Sequence, residues 1–170
     1  MKYYAGIGSR STPPRICEFM TRVAAWMETQ GWTLRSGGAD AADSAFEAGV
    51  TNPENKQIFL PFAGFCGNPS SRTTVGQDAL AVAAQFHPNW PACLQKGWKT
   101  VNLQGRNSYQ VLGPDLKTFS KLVICWTPGG RGEGGTGQAV RIAAHYGIAV
   151  YDLGNPVHLA RVQEISGVRY

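Results

Sequence analysis

The residues that could do chemistry in this chain are two arginines, a few acids and three glycine-rich stretches. Gly6-Ile7-Gly8-Ser9-Arg10 comes first, then Ser36-Gly37-Gly38-Ala39-Asp40 with Asp43 just beyond, then Pro128-Gly129-Gly130-Arg131-Gly132-Glu133-Gly134-Gly135-Thr136. Glycine lets backbone N–H groups come close to a ligand. A helix N-terminus behind such a loop adds partial positive charge. Arginine offers a planar fork that matches phosphate oxygens. The combination predicts a site for a nucleotide or another phosphorylated small ligand.

Each of these residues has a plainer reading beside the functional one. Gly8, Gly37, Gly38, Gly129, Gly130, Gly134 and Gly135 are either turn residues or phosphate-loop residues. Ser9 and Arg10 are a helix cap and a surface charge, or phosphate contacts. Ser36 and Pro128 open their loops. Asp40 is a helix cap, and Asp43 is a ribose-hydroxyl contact or a solvated first-turn acid. Thr136 is an N-cap that presents amides to phosphate. Trp126 stands just before the third loop, where it is a core residue or a base-stacking one. Tyr109 is a weaker candidate for stacking, and His87 is read as structural before ligand-binding.

Elements that could position these groups follow from periodicity. Strands are expected at 2–7, 32–36, 56–61, 122–126 and 148–151. Helices are expected from Thr12-Pro13-Pro14 to Gly31, with Thr12 as N-cap, and at 40–49, 78–85, 107–112, 136–146 and 156–165. The stretch 62–77 reads as a surface loop, and Phe86-His87-Pro88-Asn89-Trp90 as a break. Strands that alternate with helices imply an α/β fold with a mainly parallel sheet covered on both faces. Right-handed crossovers then bring all three glycine loops to the carboxyl edge of that sheet.

The 170 residues are read as one domain spanning 1–170. A hydrophobic content of 43% argues against a disordered chain. The net charge of +5 favours an anionic ligand, but the charge is dispersed and forms no nucleic-acid arm. Cys17, Cys66, Cys93 and Cys125 lack the spacing of a zinc site, so no metal is expected; Cys17 and Cys125 read as buried thiols. No cofactor is expected. With no signal peptide and no apolar run long enough to span a bilayer, a cytoplasmic location without membrane partners is expected.

The order of motifs resembles the SLOG superfamily, which includes the DprA/Smf DNA-processing proteins and the LONELY GUY (LOG) phosphoribohydrolases. Gly8-Ser9-Arg10 is similar to the motif after the first strand of DprA-like proteins, and Ser36-Gly37-Gly38-Ala39-Asp40-Ala41-Ala42-Asp43 to their second signature. Pro128-Gly129-Gly130 with Gly135-Thr136 is similar to the LOG signature, interrupted by an insertion. Arg106 stands where LOG proteins carry a catalytic arginine in a short helix. The opening Tyr4-Ala5-Gly6-Ile7-Gly8-Ser9-Arg10 also resembles small phage-encoded DprA-like proteins.

The resemblance implies a Rossmann-like three-layer sandwich and a homodimer or higher homo-oligomer. It implies a nucleotide-derived ligand, such as an ADP-ribose-type or cyclic nucleotide signal that a phage protein would withhold from host immunity. It also offers nucleoside monophosphate N-glycosidase activity and single-stranded DNA binding as alternatives. One departure matters: Ala139 stands where LOG proteins carry a glutamate. An enzyme of this type would need Arg106 with Glu133, Asp43 or Glu47 instead. The departure favours binding over cleavage.

Overall fold

The computed structural model describes residues 1–170. Five strands, β1 (Lys2–Gly6), β2 (Trp32–Ser36), β3 (Lys56–Ile58), β4 (Leu122–Cys125) and β5 (Ala149–Asp152), form one sheet in the order β3-β2-β1-β4-β5. Every pair is parallel. The central strands are buried where the sheet is covered on both faces: Tyr4, Ala5 and Gly6 in β1, and Val123, Ile124 and Cys125 in β4.

Helices α1 (Pro14–Thr29), α2 (Ala42–Gly49) and α7 (Pro156–Ser166) cover one face. Their core joins Phe19, Met20 and Val23 to Leu34, Phe46 and Val162. Helices α3 (Gln77–Phe86), α5 (Trp98–Leu112) and α6 (Gly134–His145) cover the other, with the short α4 (Trp90–Gln95) against α5. There Val111, Leu112, Ile142 and Ala143 pack on Ala5 and Val123. The chain is therefore a Rossmann-like three-layer α/β/α sandwich. No helix is long and apolar enough to cross a membrane.

Several local expectations are corrected. Thr12 does not cap α1; its hydroxyl donates to the Ser9 carbonyl, and Pro13 occupies the N-cap position. Asp40 is exposed and does not cap α2, which begins at Ala42 behind Ala41 at φ 65°. The 62–77 stretch is not merely a surface loop. It returns beside the residues that follow β3, where Leu60 N–H donates to Arg72 O, and it buries Phe65. The break expected at 86–90 separates α3 from α4, while α4 and the first half of α5 lie at 90–106, where no helix is expected. Cys93 and Cys125 are buried and Cys17 is only half-buried.

Candidate functional site

The sheet order reverses direction between β1 and β4, and in open parallel sheets that switch point is where a crevice forms beyond the strand ends. A cavity of about 570 Å³ lies there. The β1 loop contributes Ile7 to Arg10, and the start of α2 contributes Ala39 and Asp43. The β4 loop and the start of α6 contribute Pro128 and Glu133 to Thr136. The roof is α5, with Leu103, Gln104, Arg106, Asn107 and Gln110. Nine of the sixteen lining residues carry polar or charged side chains and three are hydrophobic.

Asp43 is the hub. Its Oδ1 accepts the Gly8 N–H at 3.1 Å and its Oδ2 the Ala39 N–H at 3.4 Å. Oδ2 lies 3.8 Å from Arg106 Nη1. One buried carboxylate thus ties the β1 loop, the β2 loop and α5 together, and it is not a solvated first-turn acid, one of its two expected roles. Burial pushes its carboxyl up to about 6, against the opposing pull of Arg106 and of the amides. Burial also lowers Arg106, which Asp43 partly offsets and the nearby charge of Arg10 reinforces. Arg106 Nη1 donates to the Gly37 carbonyl as well. The guanidinium carbons of Arg10 and Arg106 sit 5.4 and 5.7 Å from the ring of Phe65, so one buried aromatic from the 62–76 loop backs both cations.

The start of α6 is open. Glu133 occupies the N-cap position without a side-chain capping bond, so Gly134, Gly135 and Thr136 present the first amides of a twelve-residue helix. Thr136 is inside the helix and is not its cap. The loop before it is held from behind by a pair that the sequence reading does not single out. Asp152 accepts the Thr127 N–H and the Gly154 N–H at its Oδ1 and the Thr127 hydroxyl at its Oδ2. Thr127 Oγ1 in turn accepts the Gly132 N–H at 2.8 Å.

Not every expected residue reaches the cavity. Ser36 is buried, and its hydroxyl donates to the Gly6 carbonyl. Gly37 makes room for protein and not for a ligand: a Cβ there would lie 1.7 Å from Arg106 Nη1 and 2.3 Å from Gln110 Nε2. Gly38 faces Leu60 and Asn68 on the other side of α2. Gly129 is exposed, and Gly130 is a packing glycine, at φ 64° with its Cβ position 2.6 Å from Asn155 N. Trp126 packs against the core and uses its carbonyl to accept the Ser9 N–H. Tyr109 stacks on Phe59 and accepts the Gly76 N–H, and His87 Nδ1 accepts the Asn89 N–H. Gly8, Ser9, Arg10, Asp43, Arg106, Pro128, Glu133, Gly134, Gly135 and Thr136 do come together.

Protein-family models, characterised proteins and solved structures offer no match to this chain. The chemistry is therefore read from the cavity itself. Two carboxylates line it, Asp43 and Glu133. Glu133 is exposed at the rim and pairs with Arg131 at 3.0 Å. Ala139 is fully buried against Ile142 and Ala143, outside the cavity lining. Gln104, Asn107 and Gln110 are the lining residues sequence reasoning misses. Of these only Gln110 stands one helical turn from Arg106; Asn107 Nδ2 donates to Gly135 O and joins α5 to α6 across the site.

Arg10 gives the cleanest test of an anion at this place. It is exposed, and its recorded side-chain contact is with the Phe65 ring. Arg10→Ala is expected to leave the melting temperature almost unchanged. It is expected to weaken binding of a phosphorylated ligand by about tenfold or more, the loss of one charge-assisted contact. Calorimetric titration of AMP into both proteins checks this.

Proposed function

We propose that this protein binds a small, phosphorylated, nucleotide-derived molecule and holds it without cleaving it. The observation that carries the reading is the uncapped N-terminus of α6 opening into a switch-point cavity that Arg10 and Arg106 also line. Its volume suits one small organic ligand and not a polymer. The phosphate lies on the amides of Gly134 to Thr136, with Arg10 as its counter-charge. Asp43 neutralises Arg106 and fixes the walls.

Within this reading the ligand is a diffusible nucleotide signal of ADP-ribose or cyclic nucleotide type. Capture of such a signal by a phage-encoded protein rests on the resemblance of the opening motif alone. Binding without cleavage is supported by Ala139, which puts no carboxylate where LOG proteins have one, and by the engagement of Glu133 with Arg131. The glycosidase reading has one observation in its favour: a carboxyl pushed up to about 6 beside an arginine on the cavity wall.

Competition decides between a small ligand and single-stranded DNA. A panel of AMP, ADP-ribose and cyclic dinucleotides is set against a long single-stranded oligonucleotide at two salt concentrations. The expected result is a small-molecule competitor whose affinity falls shallowly with salt and which is recovered intact by chromatography. A polymer groove makes many phosphate contacts and its binding falls steeply with salt. Length-dependent, steeply salt-sensitive oligonucleotide binding with no small competitor would sink the proposal. Release of free base that Arg106→Ala abolishes would replace it with the glycosidase.

A further inference from the structure

The α5 wall of the cavity carries two polar atoms that nothing in the protein matches. Gln110 Oε1 and Arg106 Nε are shut off from water and have no hydrogen-bond partner. Both residues line the cavity, and both are almost fully buried, at 1% and 6% exposure. They stand one helical turn apart on α5, so their side chains share one face of the helix. The neighbouring polar groups are already used. Arg106 Nη1 is engaged by Gly37 O and Asp43, and Asn107 Nδ2 by Gly135 O. Native structures leave few buried polar atoms unmatched, and each such atom calls for a reason. The one other unmatched atom of this kind, Tyr4 Oη, lies in the core beneath β1 and away from the cavity.

We infer that Gln110 is a specificity-determining residue, whose Oε1, turned into the cavity, takes a hydrogen bond from an uncharged donor on the ligand. This rests on the proposed nucleotide reading and adds an orientation to it. A hydroxyl both donates and accepts, and so does an N–H beside a carbonyl on a base edge. A fully ionised phosphate only accepts, so it leaves Gln110 Oε1 unmatched. The phosphate therefore belongs at the α6 end of the cavity, and the sugar or base at the end formed by α5 and Gly37. The last torsion of a glutamine side chain is broad, so Oε1 turns into the cavity by a rotation that leaves the backbone in place.

Gln110→Leu tests this, with inorganic phosphate, ribose 5-phosphate and AMP as probes in calorimetric titrations. Leucine keeps most of the volume and removes an acceptor that the free protein leaves unmatched, so the ligand-free melting temperature is expected not to fall. Affinity for AMP is expected to drop by about tenfold, and affinity for inorganic phosphate to stay within about twofold. An equal drop for ribose 5-phosphate identifies a sugar hydroxyl as the donor, and a drop for AMP alone identifies the base edge. Unchanged AMP affinity overturns the inference, as does an equal loss for all three probes. Wild-type protein that binds none of the probes brings down the nucleotide reading and this inference with it, a result distinct from wild-type binding that the variant leaves unaltered.

Discussion

Asp43→Ala is expected to cost about 3–5 kcal/mol of folding stability, the largest loss from any single substitution at the site. The carboxylate is 3% exposed and serves three partners at once: the amides of Gly8 and Ala39 and the guanidinium of Arg106. Alanine leaves two backbone donors unmatched and strands a buried charge. Urea unfolding at pH 7 measures the cost. The same residue sets a pH dependence. Its carboxyl is pushed up from 3.8 to about 6 on folding, so between those values the folded protein holds a proton that the unfolded chain has released. The proton-linked part of the stability is therefore fully present below pH 3.8 and is lost as pH rises through about 6, leaving the amide bonds and the Arg106 pair that the pH 7 measurement reads. In Asp43→Ala this component of the pH profile should be absent.

Gly37→Ala should be the second most damaging change, and for a reason the motif does not suggest. Its Cβ would stand 1.7 Å from Arg106 Nη1 and 2.6 Å from Arg106 Cζ, deep in a packed wall. Arg106 is 6% exposed and cannot swing away without breaking its bond to the Gly37 carbonyl and its approach to Asp43. Overpacking of this kind costs about 1–3 kcal/mol. Because Arg106 and Gln110 both line the cavity, ligand affinity should fall by more than about tenfold even where the variant remains folded. Gly135→Ala is the matched control for folding stability alone, since a Cβ at Gly135 meets no protein atom within 4 Å but stands on the cavity wall. A Gly37→Ala protein with wild-type melting temperature and affinity would remove the proposed role of this wall.

The strand framework is legible in the residues because short apolar runs end at glycine-rich loops. β2 is bounded as expected, and β1 and β4 differ by a residue at one end. The helices over the cavity are harder. The sequence reading places a helix only over 107–112 of α5, just after Gly105. In the fold that glycine admits Val75 and Leu80 to the helix surface, which a Cβ would block at 2.6 and 2.7 Å. The break at 86–90 does separate α3 from α4, but α4 itself is not foreseen: Pro91 sits in its first turn, where proline is tolerated, and Asn89 caps it by accepting the Ala92 N–H. That a cavity lies at the carboxyl ends of the strands was readable from topology and glycine loops together. The division of labour was not, because a glycine in a motif looks the same whether it faces a cavity, like Gly135, or a buried arginine, like Gly37. Gln110 and Asn107 carry no motif, and a helical amide reads as a solvated face until the fold turns it inward.

The clamp of Thr127 and Asp152 behind the β4 loop bears on time as well as on place. Thr127 and Asp152 are buried, and through Gly132 they hold the approach to α6 in its open, donor-forward form before any ligand arrives. A ligand that docks there meets a rigid receptor and gives up little to loop ordering. Encounter should then proceed at similar rates for related phosphorylated compounds, since all meet the same waiting amides. Discrimination among them falls to how long each stays, which is set by the hydrogen bonds at the far end of the cavity.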